Sequence, residues 1–280
     1  MRFIVSFLCA FWMATMSLAE TMVLASTTST QNSGLYDYLL PLFEQDTGIT
    51  VRVVAVGTGQ AIRIAQNGDA DALLVHHRPS EDAFIADGFG TKRFDIMYND
   101  FVIVGPSEDP AKLRKAQDID TAMQALAQSQ ARFISRGDDS GTHKREQNLW
   151  TTAGVTPEGD WYREIGASMG AALNMAAAVN GYTLSDRGTW LSFGNKQDLA
   201  ILYEGDATLL NPYGLVLLNP ERFPHVKTQA AEALALWLTS TSGQQAIGAF
   251  RVKNAQLFCP NAKNEQNLDI KYCPAQGLLK

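Results

Sequence analysis

The feature that most limits the fold is an order of segments that recurs three times. Each time an apolar, strand-like run ends in a junction rich in Ser, Thr and Gly, and residues at helical spacing follow at once. The first unit is "TMVLAS", "STTSTQNSG" and "LYDYLLPLFEQDTG"; the second is "ITVRVVAV", "GTGQ" and "AIRIAQNGD"; the third is "FIS", "RGDDSGT" and "HKREQNLW". Such alternation indicates an α/β architecture on mostly parallel sheets. In the first unit Leu35, Leu39, Leu42 and Phe43 share a helical face, Pro41 predicts a kink and Gly48 the stop. The hydroxyl-rich stretch "STTSTQNSG" is expected as a loop. Residues 100–106 ("DFVIVGP") and 211–220 ("NPYGLVLLNP") are apolar runs between polar and proline breakers. They read as two strands crossing between lobes, the first lobe built from residues 20–103 and 214–280, the second from 104–213.

A chain of 280 residues with 46% hydrophobic and 19% charged content can bury two such cores. Its start stands apart. Arg2 is the only charge before Glu20, and a short apolar run ends in "SLA", with Ser17 and Ala19 at signal-peptidase spacing. Residues 1–19 are therefore expected to be a cleavable secretory leader, too short to span a bilayer. Of the three cysteines, Cys9 falls in that leader, which leaves Cys259 and Cys273 flanking a polar tail. In an exported chain these two are expected to form a disulfide, with two unrelated thiols as the alternative. The formal charge of −6 argues against nucleic acid and anionic membranes. It does not argue against a small anion, whose binding depends on local donors.

The junctions supply such donors. Thr27, Thr28 and Ser29 crowd the end of the first strand, Thr58 sits between Gly57 and Gly59, and Arg136 precedes Ser140, Gly141 and Thr142. The first turn of a helix leaves N–H groups without internal partners, and its dipole favours negative charge. Each junction alone has a plainer explanation, because Ser or Thr before a helix is usually an N-cap. Arg136 could likewise be half of an ion pair with Asp138 or Asp139. Three repeats and five consecutive hydroxyl residues exceed capping needs. If the corners converge, they form a site for a small multivalent anion, with a carboxylate orienting the guanidinium.

The segments "STTSTQNSGLYDYLLPLFEQDTGI", "VVAVGTGQA", "NGDADALLVH", "MYNDFVIVGP", "SRGDDSGTHKRE" and "LNPYGLVLLNP", in this order, resemble the periplasmic tungstate-binding proteins of ABC importers, a branch of the type II solute-binding proteins. The resemblance implies a two-lobed hinged clamp that passes an oxyanion, tungstate or molybdate, to a membrane permease, with no cofactor and no catalytic residue. It puts the ligand contacts on Thr27, Thr28, Ser29, Thr58, Arg136, Ser140, Gly141 and Thr142. Arg187 in "SDRGT" is a further candidate whose other reading is an inter-lobe ion pair. "RGDDSGT" also resembles the phosphate-binding proteins, which makes phosphate or sulfate the alternative ligand. Tungstate donates no hydrogen bond at neutral pH, whereas hydrogen phosphate rewards a carboxylate acceptor; His76 and His77 stand where those proteins carry an acidic residue. Two other classes have weak support. Ser140 and His143 lack a nucleophile-elbow context for hydrolysis. His76 and His77 are expected on opposite faces of a strand, which disfavours joint ligation of a metal.

Overall fold

The computed structural model describes residues 20–262. The leader and Cys273 lie outside the described residues. The chain begins with β1 (Thr21–Thr27), α1 (Thr28–Asn32), α2 (Leu35–Thr47), β2 (Thr50–Val56), α3 (Thr58–Gln66), β3 (Ala72–Val75) and α4 (Arg78–Ala86). A 17-residue strand, β4 (Gly90–Pro106), leads to α5 (Ile119–Ser129), β5 (Phe133–Ser135), α6 (Gly141–Thr152) and β6 (Tyr162–Glu164). Then come α7 (Met169–Val179), β7 (Thr183–Asp186), α8 (Arg187–Ser192), β8 (Leu199–Tyr203) and β9 (Leu210–Leu218). The chain closes with α9 (Thr228–Thr239), α10 (Thr241–Ala249), the β10 (Arg251–Val252) and β11 (Ala255–Gln256) pair, and β12 (Cys259–Pro260).

The expected parallel pairing holds for β1 with β2 and with β3, and for β5 with β6. Elsewhere the expectation is corrected. β9 runs antiparallel to both β3 and β4, and β4 is antiparallel to β7 and β8, so the main sheet is mixed. The physical reason is the double crossing: one strand leaves the first lobe and another returns, and the two pair along their length.

β4 joins the lobes. Residues 90–100 pair with β9, and Phe101 to Pro106 pair with β7 and β8. The core changes at the same point. Met97 packs with Leu24, Phe43 and Leu215, whereas Phe101 packs with Leu126, Phe133 and Trp150. Alternation along the strands feeds both faces of each sheet. Leu24 and Ala25 enter opposite first-lobe cores, and Ile103 and Val104 enter opposite second-lobe cores. A strand covered on both faces reads as a nearly continuous apolar run, and "FVIV" does.

Helix α2 contains Pro41 and runs on to Thr47; Gly48 ends it at φ +73°, donating its N–H to Glu44 O at 2.8 Å. "STTSTQNSG" is not wholly a loop, because Thr28–Asn32 form α1. β12 returns the chain end to β4, with buried Cys259 opposite Tyr98. Cys259 is disulfide-bonded. Among the described residues no helix is long and apolar enough to cross a membrane.

Candidate functional site

At the first corner, Ser26 ties β1 to β3 by donating its hydroxyl to Leu74 O at 2.7 Å, which leaves its oxygen to accept from the Tyr36 hydroxyl. Thr27 Oγ1 lies 3.1 Å from Ser29 Oγ and 2.8 Å from Thr30 Oγ1, so it organises the corner from within. Thr28 is exposed and Ser29 is half-buried. At the second corner Thr58 is buried at the start of α3. Neither α1 nor α3 has a side-chain cap. These hydroxyls therefore do not serve the ordinary capping role.

At the third corner Ser140 does cap α6, accepting from His143 N at 3.2 Å. Its hydroxyl proton remains available for another acceptor. Thr142 is buried in the first turn. Arg136 follows β5 and is buried; its Nη2 donates to Asp138 Oδ2 at 2.5 Å. The expected carboxylate orienting the guanidinium is Asp138, whose other oxygen accepts from Ser140 N at 3.3 Å. Arg136 Nε is buried with no acceptor among the described residues. Gly137 makes the turn possible at φ +60°, where a Cβ would lie 2.8 Å from Glu164 Cβ.

The corners meet. Gly141 N, from the second lobe, donates to Thr58 Oγ1 of the first at 3.2 Å. A Cβ on Gly141 would fall 2.8 Å from His76 Cε1 and 3.2 Å from Thr58 Oγ1. His76 Nε2 in turn lies 3.4 Å from Ser29 Oγ. Ser29, His76, Gly141 and Thr58 thus form a contiguous junction between the lobes.

His76 lies at this junction, in a position the sequence reading did not give it. β3 ends at Val75, so His76 and His77 are not on opposite faces of a strand; both line one cavity. The Asn211 amide donates to Asn99 Oδ1 at 2.7 Å, which leaves its oxygen to accept from His76 Nδ1 at 3.0 Å. This network assigns the proton to Nδ1 and the lone pair to Nε2. Burial pushes the imidazole down to about 4, against help from Asn211, and the charge of Arg136 lowers it further. His76 is neutral at pH 7.

Arg187 was expected as a possible contact, but carboxylates occupy its fork. Nε and Nη2 grip Asp100 at 2.6 Å each, and Nη2 also reaches Glu204 at 2.7 Å. Burial opposes its charge, yet these two carboxylates hold it above the ordinary arginine range. Asp186 is the residue that the sequence did not flag. It caps α8 through Thr189 N at 2.8 Å, and it lies close enough to feel the Arg136 charge. Burial raises its pKa, while Thr189 and then Arg136 pull it back. "SD" before a helix signals a cap; its proximity to Arg136 comes only from the tertiary fold.

The Ser140–His143 pair does not form a nucleophile and base. His143 Nδ1 instead accepts from Asp139 N at 3.2 Å, and its Nε2 lies 3.3 Å from Glu164 Oε1. No group of three or more His, Cys, Asp or Glu able to hold a metal occurs among the described residues.

The chain as a whole is similar to known proteins. The family described as the PBP superfamily domain matches residues 14–242. A tungstate-binding protein from Peptoclostridium acidaminophilum is 48% identical over 246 residues, covering 86% of each chain. A solved tungstate-binding protein from Desulfovibrio alaskensis G20 superposes with TM-score 0.79 at 43% identity, over 88% of this chain and 100% of that one. A structure titled as the tungstate ABC transporter of Geobacter sulfurreducens gives TM-score 0.77 at 50% identity, over 82% and 99%. The chain belongs to the PBP superfamily and, within it, to the family of the tungstate-binding proteins.

Proposed function

We propose that the chain is the substrate-binding component of an ABC importer, holding tungstate between its lobes and presenting it to a membrane permease from the periplasmic side. Residues 1–19 act as the export leader, and a Cys259–Cys273 disulfide pins the tail. The observation that carries this reading is the inter-lobe junction: Thr58 and Gly141 are joined, with the buried Arg136 Nε lacking an acceptor among the described residues.

The donors suit a fully ionised dianion. Thr58 Oγ1 accepts from Gly141 N and so retains its own proton for an anion oxygen. Ser140 is in the same position through His143 N. Both Asp138 oxygens are engaged, and Asp139 is exposed and paired with Lys144 at 3.4 Å. Each carboxylate therefore already serves donors of the protein itself. Burying a dianion is tolerable only with many donors, several of them charge-assisted. The ligand first meets the Ser29 and Thr58 corners of the first lobe. Closure about β4 and β9 then brings Arg136, Gly141 and Thr142 onto its other side. Arg187 serves the hinge.

Calorimetric titration of the exported protein with tungstate, molybdate, sulfate and phosphate tests the proposal. The expected result is saturable one-to-one binding of tungstate that phosphate does not displace. No binding of tungstate, or phosphate binding at least as tightly, contradicts it.

A further inference from the structure

Beside the donor junction lies a cavity of about 260 Å³ between the lobes. His77 and Arg78 line it from the first lobe and Lys144 and Arg145 from the second; His76 and Gly141 separate it from Ser29 and Thr58. No Asp or Glu lines it, although the whole chain is negatively charged. Arg78 and Lys144 pair with exposed carboxylates outside the lining, Asp82 at 2.8 Å and Asp139 at 3.4 Å.

Arg145 differs. Its Nη1 and Nη2 donate to Thr208 O and Leu210 O, each at 3.1 Å, and its guanidinium lies 5.9 Å from the Phe101 ring centroid. These contacts satisfy N–H groups but leave the positive charge without a counter-ion among the described residues. Burial lowers its pKa and no carboxylate offsets that. His77 senses the same field: burial, then Lys144 and Arg145, push its imidazole down. A half-buried cation with no anion beside it is costly. A purely structural strut at this position would not require a charge.

We propose that this cavity is an accessory anion site, an antechamber that takes a tetrahedral oxyanion dianion with part of its hydration shell and steers it past His76 and Gly141 to the donor junction. The inference rests on the function proposed above. It differs from it in assigning association kinetics to residues outside the junction. Clefts lined by one sign of charge raise local ligand concentration and on-rates, and salt screens the effect.

The test uses stopped-flow tryptophan fluorescence of tungstate association at about 20 mM and about 500 mM salt. The wild type is compared with Arg145→Gln and with the double variant Arg78→Gln/Lys144→Gln, whose side chains pair only with exposed or part-exposed carboxylates. At low salt the association rate is expected to fall by at least about threefold in each variant, with dissociation unchanged within about twofold. At high salt the difference should vanish. Equal association rates at low salt, with wild-type affinity intact, overturn the antechamber and leave the proposed function standing. Failure of the wild type to bind tungstate overturns the proposed function. The antechamber is then decided by NMR titration of the His77 imidazole with sulfate against matched chloride. A sulfate-dependent rise in its pKa, lost in the double variant, supports the accessory site; no rise in the wild type overturns it.

Discussion

At the scale of single residues, the guanidinium of Arg136 and the imidazole of His76 carry the proposed function of the junction. Arg136 is oriented by Asp138 and presents an unpartnered buried Nε. A lysine at this position keeps the charge and loses the fork. Arg136→Lys should therefore weaken tungstate binding by about tenfold or more, the size of a lost charge-assisted hydrogen bond. Unchanged affinity by calorimetry would make the arginine structural. His76 yields a pH prediction. Its folded pKa of about 4 lies below the unfolded value of about 6.5. Between these values the unfolded chain binds more protons, so stability is complete above about 6.5 and is lost as pH falls toward 4, by about 3 kcal/mol at most. Glu81 and Asp186, raised by burial, titrate with the opposite sign. Comparing wild type with His76→Gln between pH 7 and 4.5 removes their part; the wild-type Tm should fall more steeply, and equal slopes refute the assignment. The corner that holds Arg136 was legible from its clustered hydroxyls and glycines, and the pairing with Asp138 named as one of two options is present. His76 was visible but misplaced, because its position depends on where β3 stops, a matter of Asn211 and tertiary pairing.

Two glycines on different elements separate binding from stability. Gly141 opens α6 where His76 and Thr58 leave no room for a Cβ. Gly141→Ala should hold the lobes apart and cost about tenfold or more in tungstate affinity, with little change in Tm. Gly214 in β9 lies against the buried Glu81–Arg93 pair, joined at 2.5 Å. Gly214→Ala should wedge that pair and lower stability by about 3 kcal/mol or more, while folded protein still binds one equivalent. Denaturant unfolding and calorimetry check both; reversed outcomes would mean the elements are wrongly assigned. The repeated strand-to-helix corners were readable from hydroxyl and glycine spacing, and Gly48 stops α2 as expected. The helical start at Thr28 was not readable, since a Ser/Thr-rich run has low intrinsic helix propensity and tertiary contacts of the corner decide it. β4 begins ten residues before the apolar run that announced it, because "TKRFDIMYN" carries charges that only pairing with β9 and the Glu81 contact accommodate.

For the whole molecule, the apolar runs at 100–106 and 211–220, read as crossing strands, foretold two lobes from one chain. The antiparallel run of β4 beside β9 did not show, because register is a long-range property. The cores change between Met97 and Phe101 and between Leu209 and Tyr213, and the partner of β4 changes after Asp100, which pairs with Leu210; we propose the lobe boundary there. Arg187 clamps Asp100 at that crossing. Arg187→Gln should leave a buried carboxylate unpaired and lower stability by about 3 kcal/mol or more, yet retain one-to-one binding. Lost binding in folded variant protein would return Arg187 to the ligand set. The central claim, that corners from both lobes enclose one dianion, is tested most directly by anomalous diffraction from crystals grown with tungstate. The strongest tungsten peak should lie within hydrogen-bonding reach of Ser29, Thr58, Arg136 Nε and the first turn of α6. A strongest peak outside that junction, or none in either lobe interface, would contradict the claim.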